Sequence, residues 1–188
     1  MKNGTLNFKK DFQLWKACAN DPVRPVMEYI LLKDGYAYAS DAHVLVRVPL
    51  EECTTFEEDQ RALLDDCLIH KSILKYIVGF DIVLVEKNDD GTVCLKVREG
   101  ENTIMVELGK NGDDLKYPNA EEILKGSGVR TPIQKIGFNP KFIASLTAAL
   151  GTDLLKFEFA NERSAVFVRP VSAISNAVGA IMPIMTTE

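Results

Sequence analysis

Two pairs of residues in this 188-residue chain have the types and spacing that acid–base or nucleophilic chemistry uses. Asp41 stands two positions before His43, so an extended backbone puts both side chains on one face, where a carboxylate can serve an imidazole base. Cys67 stands three positions before His70, the arrangement of a thiol near its base or of half a zinc site. Neither pair finds its complement. Nothing supplies the third member for Asp41 and His43, and no second pair with ligand spacing accompanies Cys67 and His70. A Walker loop and a GxGxxG turn are both lacking. The expectation is a non-enzymatic protein with no cofactor and no metal. A small α+β hydrolase stays open as a reading only if the fold gathers Asp41, His43 and another titratable group in one cleft.

Lysine placement is the other chemical signal. Acids outnumber bases, 27 against 22, and the net charge is −5, so any contact with nucleic acid must come from a local basic patch. Lys9, Gln13, Lys16 and Asn20 fall at i, i+4, i+7 and i+11 around an expected helix over Asp11–Ala19, opposite an apolar side of Phe12, Leu14, Trp15, Cys18 and Ala19. Lys71 and Lys75 lie one turn apart on an expected helix over Lys71–Val78, which buries Ile73, Leu74, Ile77 and Val78. A third helix is expected from Pro140 to Leu150, with Asn139 as its cap and Gly151 as its stop, and it carries Lys141 with Ser145 on its polar side. Phe142, Ile143, Leu146, Ala149 and Leu150 form its apolar stripe.

These helices sit in a repeating order of elements. Each is preceded by a short strand, opening at Leu6, Cys67 and Gln134, and followed by an antiparallel run of strands. After the first helix come Met27–Leu32, an Asp34-Gly35 turn, Tyr36–Ala39 and His43–Val48. After the second come Ile82–Glu86, a turn over Asn88–Gly91, Thr92–Arg98, a Glu99-Gly100 turn and Thr103–Leu108. After the third, Leu155, Phe157 and Phe159 alternate with Lys156 and Glu158, then Ala160–Arg163 turns the chain into Ala165–Val168, and a last apolar strand ends at Met182-Pro183. An acidic connector spans Glu51–Asp66, and Lys110–Thr131 reads as a linker with one helical turn at Ala120–Leu124. A helix with one apolar stripe must lay that stripe on a sheet, so the expected class is α+β, with repeated β-α-β-β-β units and helices on one face of antiparallel sheets. The organisation is a two-unit domain at 1–109, a linker at 110–133 and a third unit at 134–188.

The string IGFNPKFIASLTAAL, followed by LLKFEFANERSAVFVRP and then IMPIM, resembles the closing segment of the bacterial DNA sliding clamp, the beta subunit of DNA polymerase III. DGYAYASDAHVLVRV is similar to the clamp segment that ends in alanine-threonine-aspartate-glycine-histidine-arginine-leucine, although Ala42 and Val44 stand where the family has glycine and arginine. CLIHKSILKYIV and LKYPNAEEIL, with its Tyr117-Pro118 pair, resemble the second half of a clamp domain. The resemblance implies a DNA-clamp-like fold and a processivity factor that tethers a polymerase or another replication protein to duplex DNA. It implies that Lys9, Lys16, Lys71, Lys75 and Lys141 meet phosphates at any sequence. By carry-over, Ser40, Ala42, His43, Leu45, Met182, Pro183 and Ile184 line an apolar pocket for a partner's short linear motif. The alternative is a clamp-fold protein-interaction module that does not encircle DNA, such as a phage or mobile-element decoy. Three units are an odd set for a family that uses them in pairs, so chains are expected to associate as a homo-oligomer.

Composition agrees with a soluble globular protein, at 46% hydrophobic and 26% charged residues. Cys18, Cys53, Cys67 and Cys94 are scattered without a CxxC pair, which points to reduced thiols and a cytoplasmic location. The N-terminus has no apolar signal core, and the apolar stretch over Val171–Met185 is broken by polar residues and too short for a membrane span.

Overall fold

Asp34 (φ 50°) and Gly35 (φ 78°) both adopt left-handed backbone, the requirement of a tight primed hairpin turn. They join β1 (Tyr29–Lys33) to β2 (Tyr36–Ser40), and β2 returns as β3 (Val44–Pro49). Two short helices, α1 (Leu50–Cys53) and α2 (Glu58–Leu63), then lead to β4 (Cys67–His70) and α3 (Lys71–Ile77). A meander follows: β5 (Val83–Lys87), β6 (Val93–Glu99) and β7 (Asn102–Glu107), with β8 (Gly109–Lys110) close behind. The remainder is α4 (Ala120–Lys125), α5 (Pro140–Leu150), β9 (Leu155–Glu158), β10 (Val166–Pro170) and β11 (Val178–Ile181). This is a computed structural model, and it describes residues 5–112, 115–126, 129–172 and 174–184.

Among the described residues the strands form two antiparallel sheets. One has eight strands in the order β8-β4-β1-β2-β3-β11-β10-β9, and the other has three in the order β5-β6-β7. The larger sheet crosses the stretch read as a linker. β3 pairs with β11, with Val44 opposite Ile181 and Leu45 opposite Ala180, and β8 pairs with β4.

Alternation along the central strands gives that sheet two apolar faces. Ile30, Leu32, Ala37, Ala39, Val44, Val46 and Val48 point to one side, where Leu74 and Ile77 of α3 and Leu146, Ala149 and Leu150 of α5 cover them. Val83, Val85, Leu95 and Val97 of the smaller sheet join the same core. Leu31, Tyr38, Leu45, Leu68 and Ala180 point to the other side and are covered by Tyr117 and by Ala120 of α4. The chain is therefore α+β with helices on one face of antiparallel sheets, except that α4 straps the opposite face. Its docking is set by Glu121, which accepts hydrogen bonds from Tyr38 Oη (2.7 Å) and Arg47 Nη1 (2.9 Å). Arg47 also lies 4.7 Å above the Tyr36 ring.

Four expected elements depart, wholly or in part, from regular structure. The helix expected over Asp11–Ala19 is a single 3-10 turn at Leu14–Lys16. Its ladder is limited to the i→i+3 bonds of Lys16 N–H to Gln13 O and Ala17 N–H to Leu14 O, and the Ala19 N–H donates to Met27 O, a tertiary partner, instead of to Trp15 O. The segment that opens the first meander begins as a 3-10 turn, Pro25–Glu28, because Pro25 lacks a donor and sets φ for a turn. The strands expected at Leu6–Phe8 and Gln134–Phe138 contribute only isolated bridges, Leu6 to Ile82, Phe8 to Thr54 and Gly137 to Ile184. Met185, the end of the apolar stretch read from Val171, lies outside the described residues, as do Ser127 and Gly128 of the expected linker.

Candidate partner-peptide and nucleic-acid interface

The turn between β2 and β3 is built by its own polar side chains. Asp41 Oδ1 accepts from the N–H groups of His43 and Val44, both at 2.8 Å. Ser40 Oγ donates to Val44 O at 2.8 Å and accepts from Ala42 N–H at 3.2 Å. The loop closes only if Ala42 takes φ 74°, a left-handed conformation that costs a side-chain-bearing residue roughly 1–2 kcal/mol. Glycine, which the clamp motif carries at this place, takes the same conformation freely.

Three strings far apart in sequence meet here. His43 O accepts the N–H of Met182, and Gly137 O accepts the N–H of Ile184, each in a short bond of 2.9 and 2.8 Å. Pro183, between them, has no donor to satisfy. The segment 182–184 is thus held between the β2–β3 turn and the residues that lead into α5. Asn139 caps that helix by accepting from Lys141 N–H, Pro140 is its first residue, and Gly151 ends it at φ 62°.

The pocket residues proposed from sequence divide among distinct environments. Leu45 and Ser40 are buried, and Leu45 packs under Tyr117 and Ala120 beside Ala180. His43 leaves that group: its ring stacks on Phe142 of α5 at 4.9 Å, on the helix side. Met182 and Ile184 are 42% and 48% exposed, and Pro183 is half-buried. Close by, Phe138 lies 6.1 Å from Phe157 and 6.5 Å from Phe159, an aromatic group that extends the apolar surface. Tyr117, Ala120 and Phe142 were not among the residues expected at this site. Tyr117-Pro118 carried a signal, since it stands where the strap begins, whereas the stack of Phe142 on His43 depends on how α5 lies and left no mark in the sequence.

The lysines also divide. α3, the 3-10 turn at Leu14–Lys16 and α5 lie in a row on one face of the large sheet, with the 3-10 turn between the two helices. Lys16, Lys75 and Lys141 are exposed. Lys71 is not free: its ammonium contacts Glu28 Oε1 at 3.3 Å and Asn20 Oδ1 at 2.6 Å, and it also donates to Ala19 O. Lys9 donates to Glu52 O at 2.6 Å, at the end of α1. Hydrogen bonds from His70 and Lys71 hold the Glu28 carboxyl below the usual range.

The residues with catalytic spacing serve structure. Asp41 is spent on backbone amides, and the His43 ring stacks on Phe142. His70 caps α3 and meets Ser72 Oγ at 2.7 Å and Glu28 Oε2 at 3.3 Å, away from any bond to Cys67. Burial pushes the Cys67 thiol up to about 11 and those of Cys18 and Cys53 up to about 12, so neutral thiols prevail at ordinary pH.

No family model matches the chain, and no curated protein matches it in sequence. Solved structures do match over nearly its whole length. The H. pylori beta clamp in complex with diflunisal superposes with a TM-score of 0.63 at 16% identity, over 97% of this chain and 66% of that one. A putative DNA polymerase III beta subunit from Eubacterium rectale gives 0.60 at 12% identity, over 95% and 62%. The DNA polymerase III beta chain of Streptococcus pneumoniae gives 0.58 at 13% identity, over 99% and 66%. The chain has the fold of these sliding clamps and spans about two thirds of their length.

Proposed function

We propose, with that fold as the premise, that the chain acts as a sliding-clamp-like processivity factor. It binds duplex DNA nonspecifically and tethers a polymerase or another replication protein, without catalysis or cofactor, in the cytoplasm. Two or more copies assemble to do so. The observation that carries this reading is the row formed by α3, the 3-10 turn and α5, with exposed lysines at Lys75, Lys16 and Lys141. Ammonium groups spread along a rigid face attract phosphate without reading bases, which is what movement along a duplex needs. Lys9 and Lys71 add positive potential, but their ammonium groups are already engaged. Ser40, Ala42, His43, Leu45, Met182, Pro183 and Ile184, with Tyr117 and Phe142, form the proposed docking surface for a partner's short linear motif. We keep the three-unit division, at 1–109 and 134–188 with the stretch 110–133 between, as part of this reading.

The test is duplex binding by fluorescence anisotropy across a salt series. The native chain binds at low salt, and a triple variant, K16E with K75E and K141E, binds at least about tenfold more weakly with a shallower salt slope. Unchanged binding in the triple variant sinks the clamp mechanism. A second reading, an interaction module that does not encircle DNA, is favoured by the net charge of −5 and by the engagement of Lys9 and Lys71. Absence of any DNA binding by the native chain at low salt selects it.

A further inference from the structure

β3, β7 and β11 are the third strands of three successive helix-and-meander units. Two of them, β3 and β11, are joined antiparallel inside the chain. The third, β7, ends its sheet, and among the described residues nothing pairs with its outer edge.

Other strand edges are covered or guarded. β8 has two residues, and β9 has four with Lys156 at 66% side-chain exposure. The start of β5 is bonded to Leu6 through Leu6 N–H to Asp81 O and Val83 N–H to Leu6 O, and α2 packs along that strand. β7 reads Asn-Thr-Ile-Met-Val-Glu over six residues, without lysine, proline or bulge. Folded proteins ordinarily blunt a strand edge of this kind, and one left open is a template for pairing.

The phase of the ladder says which groups are open. Leu108 N–H donates to Val93 O, and bonded pairs alternate along an antiparallel ladder, so Ile104 and Val106 bond inward to β6. Thr103, Met105 and Glu107 therefore present their N–H and C=O groups outward. This set is self-complementary. With Met105 opposite Met105 of a second copy, Thr103 of each falls opposite Glu107 of the other, and every outward group on these residues finds a partner. The half-buried Ile104 then lies beside Val106 of the other copy, on the core side of the extended sheet.

We infer that the outer edge of β7 is a two-fold interface at which a second copy of this chain pairs antiparallel, centred on Met105, 52% exposed in the single chain. The inference deepens the assembly part of the proposed function and does not depend on DNA binding.

Sedimentation of the full chain, with a circular-dichroism melt to verify folding, tests it. The native chain is expected to run as a dimer, and Met105→Lys, which sets two ammonium groups face to face, as a folded monomer. Met105→Cys supplies a second reading. The four native cysteines are buried, so the new thiol is the accessible one, and at a bonded antiparallel pair the Cα atoms stand about 5.5 Å apart, within disulfide range. Mild oxidation is expected to give a covalent dimer with M105C and not with T103C, whose opposite residue is Glu107. A native monomer at every concentration overturns the inference. So does a dimer that survives M105K, or an M105C chain that stays uncrosslinked while the native chain dimerises. A DNA-binding failure in the anisotropy assay leaves these results untouched, so the two readings fail separately.

Discussion

Gly179 of β11 and Leu146 of α5 are in closer contact than any larger residue in the strand would allow: a Cβ on Gly179 would stand 2.8 Å from Leu146 Cδ2 and 3.4 Å from Leu45 O. Leu146 is fully buried, so it has nowhere to turn. This contact seats α5 on the sheet where β11 meets β3, and with it the residues 182–184 and the stack of Phe142 on His43.

Gly179→Ala is therefore expected to destabilise the chain by about 1–3 kcal/mol, the usual cost of overpacking a filled core. A thermal melt should show a fall of several degrees. Gly112, whose added Cβ would meet nothing within 4 Å, is the control: G112A should melt close to the native chain.

Ala42→Gly should act in the opposite direction. It relieves the left-handed strain at φ 74°, worth roughly 1–2 kcal/mol, and gives back part of that through the freer unfolded chain. A net gain of about 0.5–1 kcal/mol in denaturant unfolding is expected. A loss would mean that the Ala42 methyl makes packing contacts that outweigh the strain.

The α4 strap should be sensitive to acid. Burial alone would raise the Glu121 carboxyl, but the hydrogen bonds it accepts from Tyr38 and Arg47, with the nearby Arg47 and Lys125 charges, outweigh that and hold it below its ordinary 4.5. A carboxyl lowered in the folded state contributes stability that is full above its unfolded value and is lost as pH falls through its folded value. The protection factors of the α4 amides, taken relative to intrinsic exchange at each pH, should therefore fall below about pH 4.5 in the native chain. Glu121→Gln should show weaker protection at neutral pH and a flatter dependence on acid. Identical profiles for the two would remove Glu121 from the docking of α4.

What could be read along the chain was whatever rests on local physics. Asn139, Pro140 and Gly151 fixed both ends of α5 because a cap, a missing donor and a left-handed stop act within one turn. Asp34-Gly35 and the alternation of Leu155, Phe157 and Phe159 located hairpin and strand for the same reason. The SDAHVL, GFN and IMP strings could be picked out one by one, and the α+β class followed from the order of elements. Tertiary structure alone decided that the three strings meet, since the bonds from Met182 to His43 and from Ile184 to Gly137 join backbone groups, which carry no side-chain signal. It also decided that the expected first helix shrinks to one 3-10 turn, with the Ala19 amide taken by the carbonyl of Met27. It divided five lysines that look alike in sequence into exposed and engaged ones, because an ammonium on a long flexible stem takes whichever oxygen the fold brings within reach. And it left β7 as an open edge among the described residues: which strands stay unpaired is a property of sheet order, which no single strand's residues encode.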